Sequence, residues 1–211
     1  MRSIGAGCVL VVVLQTACGG SGHSGDAGAG GTGGQPGGGG SCGTVSPCGG
    51  DLVGTWTVAR SCLVGTKDLS SICASASAEV EYVFSGTVTY NADGTYSSAL
   101  AATTTAHEHY PSGCAPFGLT CEQLAQVAID AGVSAACSID AAGACNCDSV
   151  PPATVDNAPG TYRTSGGMLT TTHGSTTTTG SYCVQGGVLH ELPASGDGGL
   201  IATGEVVLTK Q

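Results

Sequence analysis

The sequence predicts an all-β fold: an eight-stranded antiparallel up-and-down barrel, interrupted by a disulfide-rich, partly helical insertion. Three observations carry that expectation. Residues 80–90 alternate apolar and polar side chains with period two. Several short strand-like segments follow one another across Gly-rich turns. An even number of cysteines remains once the N-terminal segment is set aside.

The strand at 80–90 is the clearest. Val80, Tyr82, Phe84, Val88 and Tyr90 fall on one face, with Gly86 in the same row. Glu81, Ser85, Thr87 and Thr89 fall on the other, broken only by Val83. That is the pattern of a half-buried strand. Asn91-Ala92-Asp93-Gly94 then predicts a hairpin turn, and 95–105 the returning strand. Further strands are expected at 160–164, 168–173, 177–184, 188–192 and 201–209, with 54–60 at the front. Short turns at Gly166-Gly167 and Gly186-Gly187 favour up-and-down order. Eight strands suit a small closed barrel, which leaves no sheet edge exposed.

Two insertions interrupt the meander, at 61–78 and 107–158. The second carries one expected helix. Thr120-Cys121-Glu122-Gln123 reads as a capping box. Leu124, Val127, Ala128 and Ala131 form an apolar face, and Gly132 ends the helix. The insertion is expected to cap one barrel mouth.

The domain, 51–211, is preceded by an export signal at 1–17 and a linker at 18–50. Arg2 precedes the apolar run Cys8-Val9-Leu10-Val11-Val12-Val13-Leu14, too short to span a bilayer but suited to a signal core. Leu14-Gln15-Thr16-Ala17-Cys18 resembles the lipobox of bacterial lipoproteins, with Gln15 as its departure. The resemblance implies a lipid on Cys18 and cleavage before it. Plain signal-peptidase cleavage after Ala17 is the alternative, and Gln15 suits that enzyme no better. Gly19 and Gly20 follow, without the Asp that in enteric bacteria retains lipoproteins at the inner membrane. The resemblance therefore implies the outer membrane. Residues 19–50 are half glycine and predict a disordered spacer.

Cys8 leaves with the signal, and Cys18 would carry lipid. The ten others are disulfide candidates: Cys42, Cys48, Cys62, Cys73, Cys114, Cys121, Cys137, Cys145, Cys147 and Cys183. Proximity suggests Cys42 with Cys48, Cys62 with Cys73, and Cys114 with Cys121. Cys137, Cys145, Cys147 and Cys183 would then pair among themselves. Cys145-Asn146-Cys147 with nearby histidines is the competing metal reading, although zinc sites usually space their cysteines more widely.

Gly54-Thr55-Trp56 resembles the Gly-x-Trp signature of the lipocalins. Asn91 to Tyr96, Gly160-Thr161-Tyr162 and the segment from Tyr182 to Leu189 are similar to short strands and turns of bacterial lipocalin-like domains. The resemblance covers about 51–106 and 159–211. It implies a barrel cavity for a small hydrophobic ligand, with Trp56 as a core residue at the barrel base. The chain departs from the family in lacking a Thr-Asp-Tyr motif and a late arginine to stack on Trp56.

Charge and motifs narrow the function classes. Only 9% of residues are charged, and the net charge is -10. No Lys/Arg cluster exists to neutralise phosphates, which argues against nucleic acid and against anionic lipid surfaces. Gly-x-Ser-x-Gly, His-Glu-x-x-His and phosphate-loop motifs are absent, so the chain is read as no enzyme. No cofactor is expected. The Thr170-Thr171-Thr172 and Thr176-Thr177-Thr178-Thr179 runs read as exposed strand faces. His107 and His109 would share a strand face where they could chelate copper or zinc, but an exposed polar strand end is the plainer expectation. His173 and His190 lie on expected strands and could join them. The expected function is a lipid-anchored envelope protein whose barrel takes a small apolar ligand. The alternative is a non-catalytic structural or surface-interaction protein with a filled barrel.

Overall fold

A computed structural model of the chain describes residues 45–114, 116–157, 159–192 and 200–211. The signal, Cys18 and Cys42 lie outside these residues. Thirteen described strands occur, in chain order: β1 (Gly54–Ser61), β2 (Leu63–Asp68), β3 (Ser77–Tyr90), β4 (Thr95–Tyr110), β5 (Ser134–Ile139), β6 (Cys145–Val150), β7 (Thr154–Asp156), β8 (Pro159–Ser165), β9 (Met168–His173), β10 (Thr176–Gln185), β11 (Val188–Leu192), β12 (Leu200–Thr203) and β13 (Val206–Lys210). A 3-10 turn (Pro116–Gly118) and one α-helix, α1 (Cys121–Asp130), lie between β4 and β5.

Eight of these strands close a barrel. β1 pairs with β3, β3 with β4, β4 with β8, and β8 with β9. β9 pairs with β10, β10 with β11, β11 with β13, and β13 returns to β1. Every pairing is antiparallel, and barrel strands consecutive in sequence are neighbours in space. The meander is therefore up-and-down, as the short turns require. At the first hairpin Gly94 N–H donates to Asn91 O, and Asp93 Oδ1 accepts from Thr95 N–H.

β3 and β4 run beyond the barrel, and this extension departs from the sequence expectation. The far half of β3 pairs with β2, which in turn pairs with β12. The far end of β4 pairs with β6, and β6 with β5. Residues 107–110 thus continue a strand instead of opening an insertion. Segment 61–78 contributes β2. The expected single strand at 201–209 is two, broken at Gly204, whose φ of 100° directs β12 to β2 and β13 to the barrel.

α1 has the expected capping box: Gln123 N–H donates to Thr120 Oγ1, and Thr120 N–H to Gln123 Oε1. Leu124 and Ala128 are its buried residues. Segment 107–158 extends the sheet alongside β4 and does not form the expected lid. Its strands bond laterally to β4, so the backbone's demand for ladder partners holds them in the wall.

The disulfides differ from the proximity-based expectation. Cys48 joins Cys183, not Cys42. Cys73 joins Cys114, so the expected Cys62–Cys73 and Cys114–Cys121 pairs are absent. Cys121 joins Cys145, and Cys137 joins Cys147 across register partners on β5 and β6. Cys62 is disulfide-bonded as well. Proximity in sequence minimises loop entropy, but a disulfide also needs Cα atoms about 4–7 Å apart, and strand pairing decided which were. The Cys48 bridge, with Cys48 and Gly49 N–H groups on Tyr182 O, holds residues 48–50 against β10. The folded domain therefore begins before residue 51.

One apolar core is built on the barrel strands and the residues just before β1. Leu52, Trp56, Val88, Tyr90, Leu169, Tyr182, Leu189 and Leu208 form a single buried cluster. Trp56 is wholly buried, and its indole N–H donates to Leu52 O at 2.7 Å.

Candidate functional site

A cavity of about 290 Å³ lies beside the core, walled by inward side chains from both sides of the barrel. Period-two alternation decides which these are. β3 supplies Phe84, Val88 and Tyr90, while β4 supplies Tyr96, Ser98 and Leu100. Val58, Leu169, Leu192, Val206 and Leu208 complete most of the apolar wall. Trp56 does not line it, consistent with a core residue.

Two polar pairs interrupt this apolar lining. Tyr90 Oη donates to Glu191 Oε1 at 2.8 Å. Glu191 retains some accessible surface, but it faces the cavity, and protein surrounds the carboxyl. Burial pushes this carboxyl above the usual carboxylate range, against the opposing pull of the Tyr90 hydrogen bond. Burial also raises the Tyr90 phenol, with the Glu191 charge adding to it. In the second pair, Ser98 Oγ donates to Asp156 Oδ2 at 3.1 Å. Among the described residues, Asp156 is the only one of segment 107–158 that lines the cavity. Tyr96 is raised by burial first and by the Asp156 charge second.

Glu191, Asp156 and Ser98 escaped the sequence reading. A signal for Glu191 was present: Leu189 and Glu191 share a parity on one strand, so an apolar inward row carries a carboxyl. Asp156 had none, because its position depends on β7 pairing with β4 at residues 100–102.

Thr176 to Thr179 are exposed, as expected, whereas Thr170 to Thr172 are half-buried. Thr171 and Thr178 are register partners that line the cavity. On the outer face Thr170 bonds Thr179, and Thr172 bonds Thr177.

The other candidate residues lie apart from the cavity. His107 and His109 are exposed on β4, where His107 Nδ1 meets Asp148 Oδ1 and His109 Nδ1 meets Asn146 Oδ1. His173 Nδ1 contacts Pro159 O, and His190 Nδ1 contacts Glu205 Oε2. Neither contact involves the β4 pair. The sulfurs of Cys121, Cys145 and Cys147 lie within 4.8 Å of one another, the only such ligand group among the described residues. All three are oxidised in disulfides, so they offer no thiolates, and the Cys145-Asn146-Cys147 metal reading loses its ligands.

Set against known proteins, the chain matches no family model, no curated protein and no solved structure.

Proposed function

We propose that this chain is a lipid-anchored protein of the bacterial cell envelope, at the outer membrane, whose lipocalin-like barrel binds a small, mostly apolar molecule. The observation that carries the binding reading is the mostly apolar cavity of about 290 Å³ beside the barrel core. Such cavities with a few convergent polar groups are the usual form of small-molecule sites. Glu191–Tyr90 and Asp156–Ser98 provide two polar positions within an apolar wall. The fitting ligand is therefore apolar along most of its surface, with a hydrogen-bonding group toward Glu191.

The lipocalin-like reading rests on Gly54 and Trp56 at the opening strand, the eight-stranded meander, and Lys210 over the Trp56 ring in place of the missing arginine. Export is supported by disulfides at all nine described cysteines, since such bonds persist in oxidising compartments. The anchor rests on Cys18 and the residues before it.

Native mass spectrometry of protein purified from its own host tests the ligand. A co-purifying small molecule is expected, and Leu100→Trp, which fills the cavity, should release it while the barrel stays folded. An empty wild-type barrel that also takes up nothing from an envelope lipid extract would favour the structural alternative. Intact-mass analysis tests the anchor: a diacylglyceryl mass on Cys18 is expected, and a mature chain beginning at an unmodified Cys18 would refute it.

A further inference from the structure

We propose that His107 and His109 form the nitrogen core of a divalent transition-metal site on the outer face of β4, with Cu²⁺ as its tightest ion. This site is separate from the barrel cavity and does not depend on the ligand reading.

Strand geometry sets the pair. Glu108, between them, turns to the opposite face, where its Oε2 accepts from Tyr110 Oη. His107 and His109 therefore project on one exposed side. Register then places Asp148 opposite His107, and Asn146 opposite His109, both on β6. His107 Nδ1 lies 2.7 Å from Asp148 Oδ1, and His109 Nδ1 lies 2.9 Å from Asn146 Oδ1.

These contacts determine which ring nitrogens are available. Asn146 Nδ2 donates to Asp140 Oδ2 at 3.3 Å, which turns the amide oxygen toward His109. An amide oxygen only accepts, so His109 Nδ1 carries the hydrogen. The Asp148 carboxylate imposes the same tautomer on His107. Asp140 is itself held by N–H groups of Ala142 and Ala144, each 2.9 Å from its Oδ1. Both imidazoles thus keep Nε2 as the nitrogen with a lone pair, each ring oriented through Nδ1 by an oxygen acceptor. Metal-binding histidines are usually oriented in this way.

Glu79 sits across β3 in register with His107 and is also exposed. Its flexible carboxylate can close on an ion held by the two imidazoles, with water in the remaining positions. Nitrogen and oxygen ligands in an open, uncaged site favour Cu²⁺ over Zn²⁺ by the general affinity order. The acidic residues Glu79, Asp148 and Asp140 around the pair add attraction for a cation.

The test uses the mature full-length protein with its disulfides intact. Equimolar Cu²⁺ should give one EPR spectrum with nitrogen hyperfine structure. Paramagnetic broadening in ¹⁵N spectra of the wild-type protein should centre on β4 and β6. His107→Ala combined with His109→Ala should abolish that spectrum, and Asp148→Ala should weaken binding by about 10-fold or more. His173→Ala should leave it unchanged. Zn²⁺ should compete poorly. Equal Cu²⁺ binding by wild type and the double variant, broadening centred elsewhere, or no binding at equimolar Cu²⁺ would each overturn the proposal.

Discussion

Lys210 holds its Nζ 5.3 Å from the centroid of the Trp56 ring, and the two residues are register partners across β13 and β1. The exposed Lys210 ammonium lies over an indole that is wholly buried. Such a contact is worth roughly 0.5–1 kcal/mol at a partly exposed site. Lys210→Met should therefore lower stability by about that amount, while Lys210→Arg should retain it. Trp56 is the sole tryptophan, so its fluorescence through a urea titration reads the change directly. A Met variant as stable as the wild type would remove the contact from the account of the fold.

The disulfide Cys48–Cys183 spans 135 residues, and Cys137–Cys147 spans 10. Loop entropy assigns about 5 kcal/mol to the first and about 3 kcal/mol to the second, before allowing for the other cross-links. Replacing Cys48 and Cys183 by alanine should lower the urea midpoint more than replacing Cys137 and Cys147. Equal midpoints would show that the shorter bridge contributes by more than loop closure.

Glu191 ties stability to pH. A carboxyl raised by folding keeps its proton in the native state where the unfolded chain has released it. Its contribution is flat below the ordinary value of 4.5 and turns unfavourable as pH rises above it. Glu191→Gln should therefore flatten the loss of stability as pH rises above the ordinary value of 4.5. Glu108, also raised by burial, retains part of that slope. Urea midpoints across the range read the effect, and parallel profiles for variant and wild type would place the Glu191 carboxyl in an ordinary environment.

Gly86 sits where β3 changes partner, after Tyr82 on β2 and before Thr87 on β1. Its φ is 110°, and a Cβ there would run into the Ala99 carbonyl oxygen. Gly86→Ala should cost about 1–3 kcal/mol, out of proportion to one methyl group. A thermal melt indistinguishable from wild type would mean that β3 tolerates a different bend.

The barrel was legible because its signals are local. Val80, Tyr82, Phe84, Val88 and Tyr90 alternate on their own strand, and Asn91 to Gly94 turn the chain without outside help. The α1 capping box is equally local, since Thr120 and Gln123 satisfy each other. What escaped depends on distant partners. β3 and β4 look like ordinary barrel strands until β2 and β6 pair with their far halves. Cys73 finds Cys114 only after both flanking segments are placed. In the cavity, the row of Tyr90 was readable, but its partner Glu191 lies 101 residues away.

Local signals settled the all-β class, the order of the eight barrel strands and the apolar face of β3. Side-chain period and turn chemistry act over a few residues, and they suffice for these. Packing in three dimensions was needed to bury Trp56 and leave a cavity beside Tyr90, to make segment 107–158 widen the sheet, and to choose which sulfurs meet. Those outcomes depend on how side-chain volumes from non-adjacent strands add up in three dimensions, and on which backbone edges find partners.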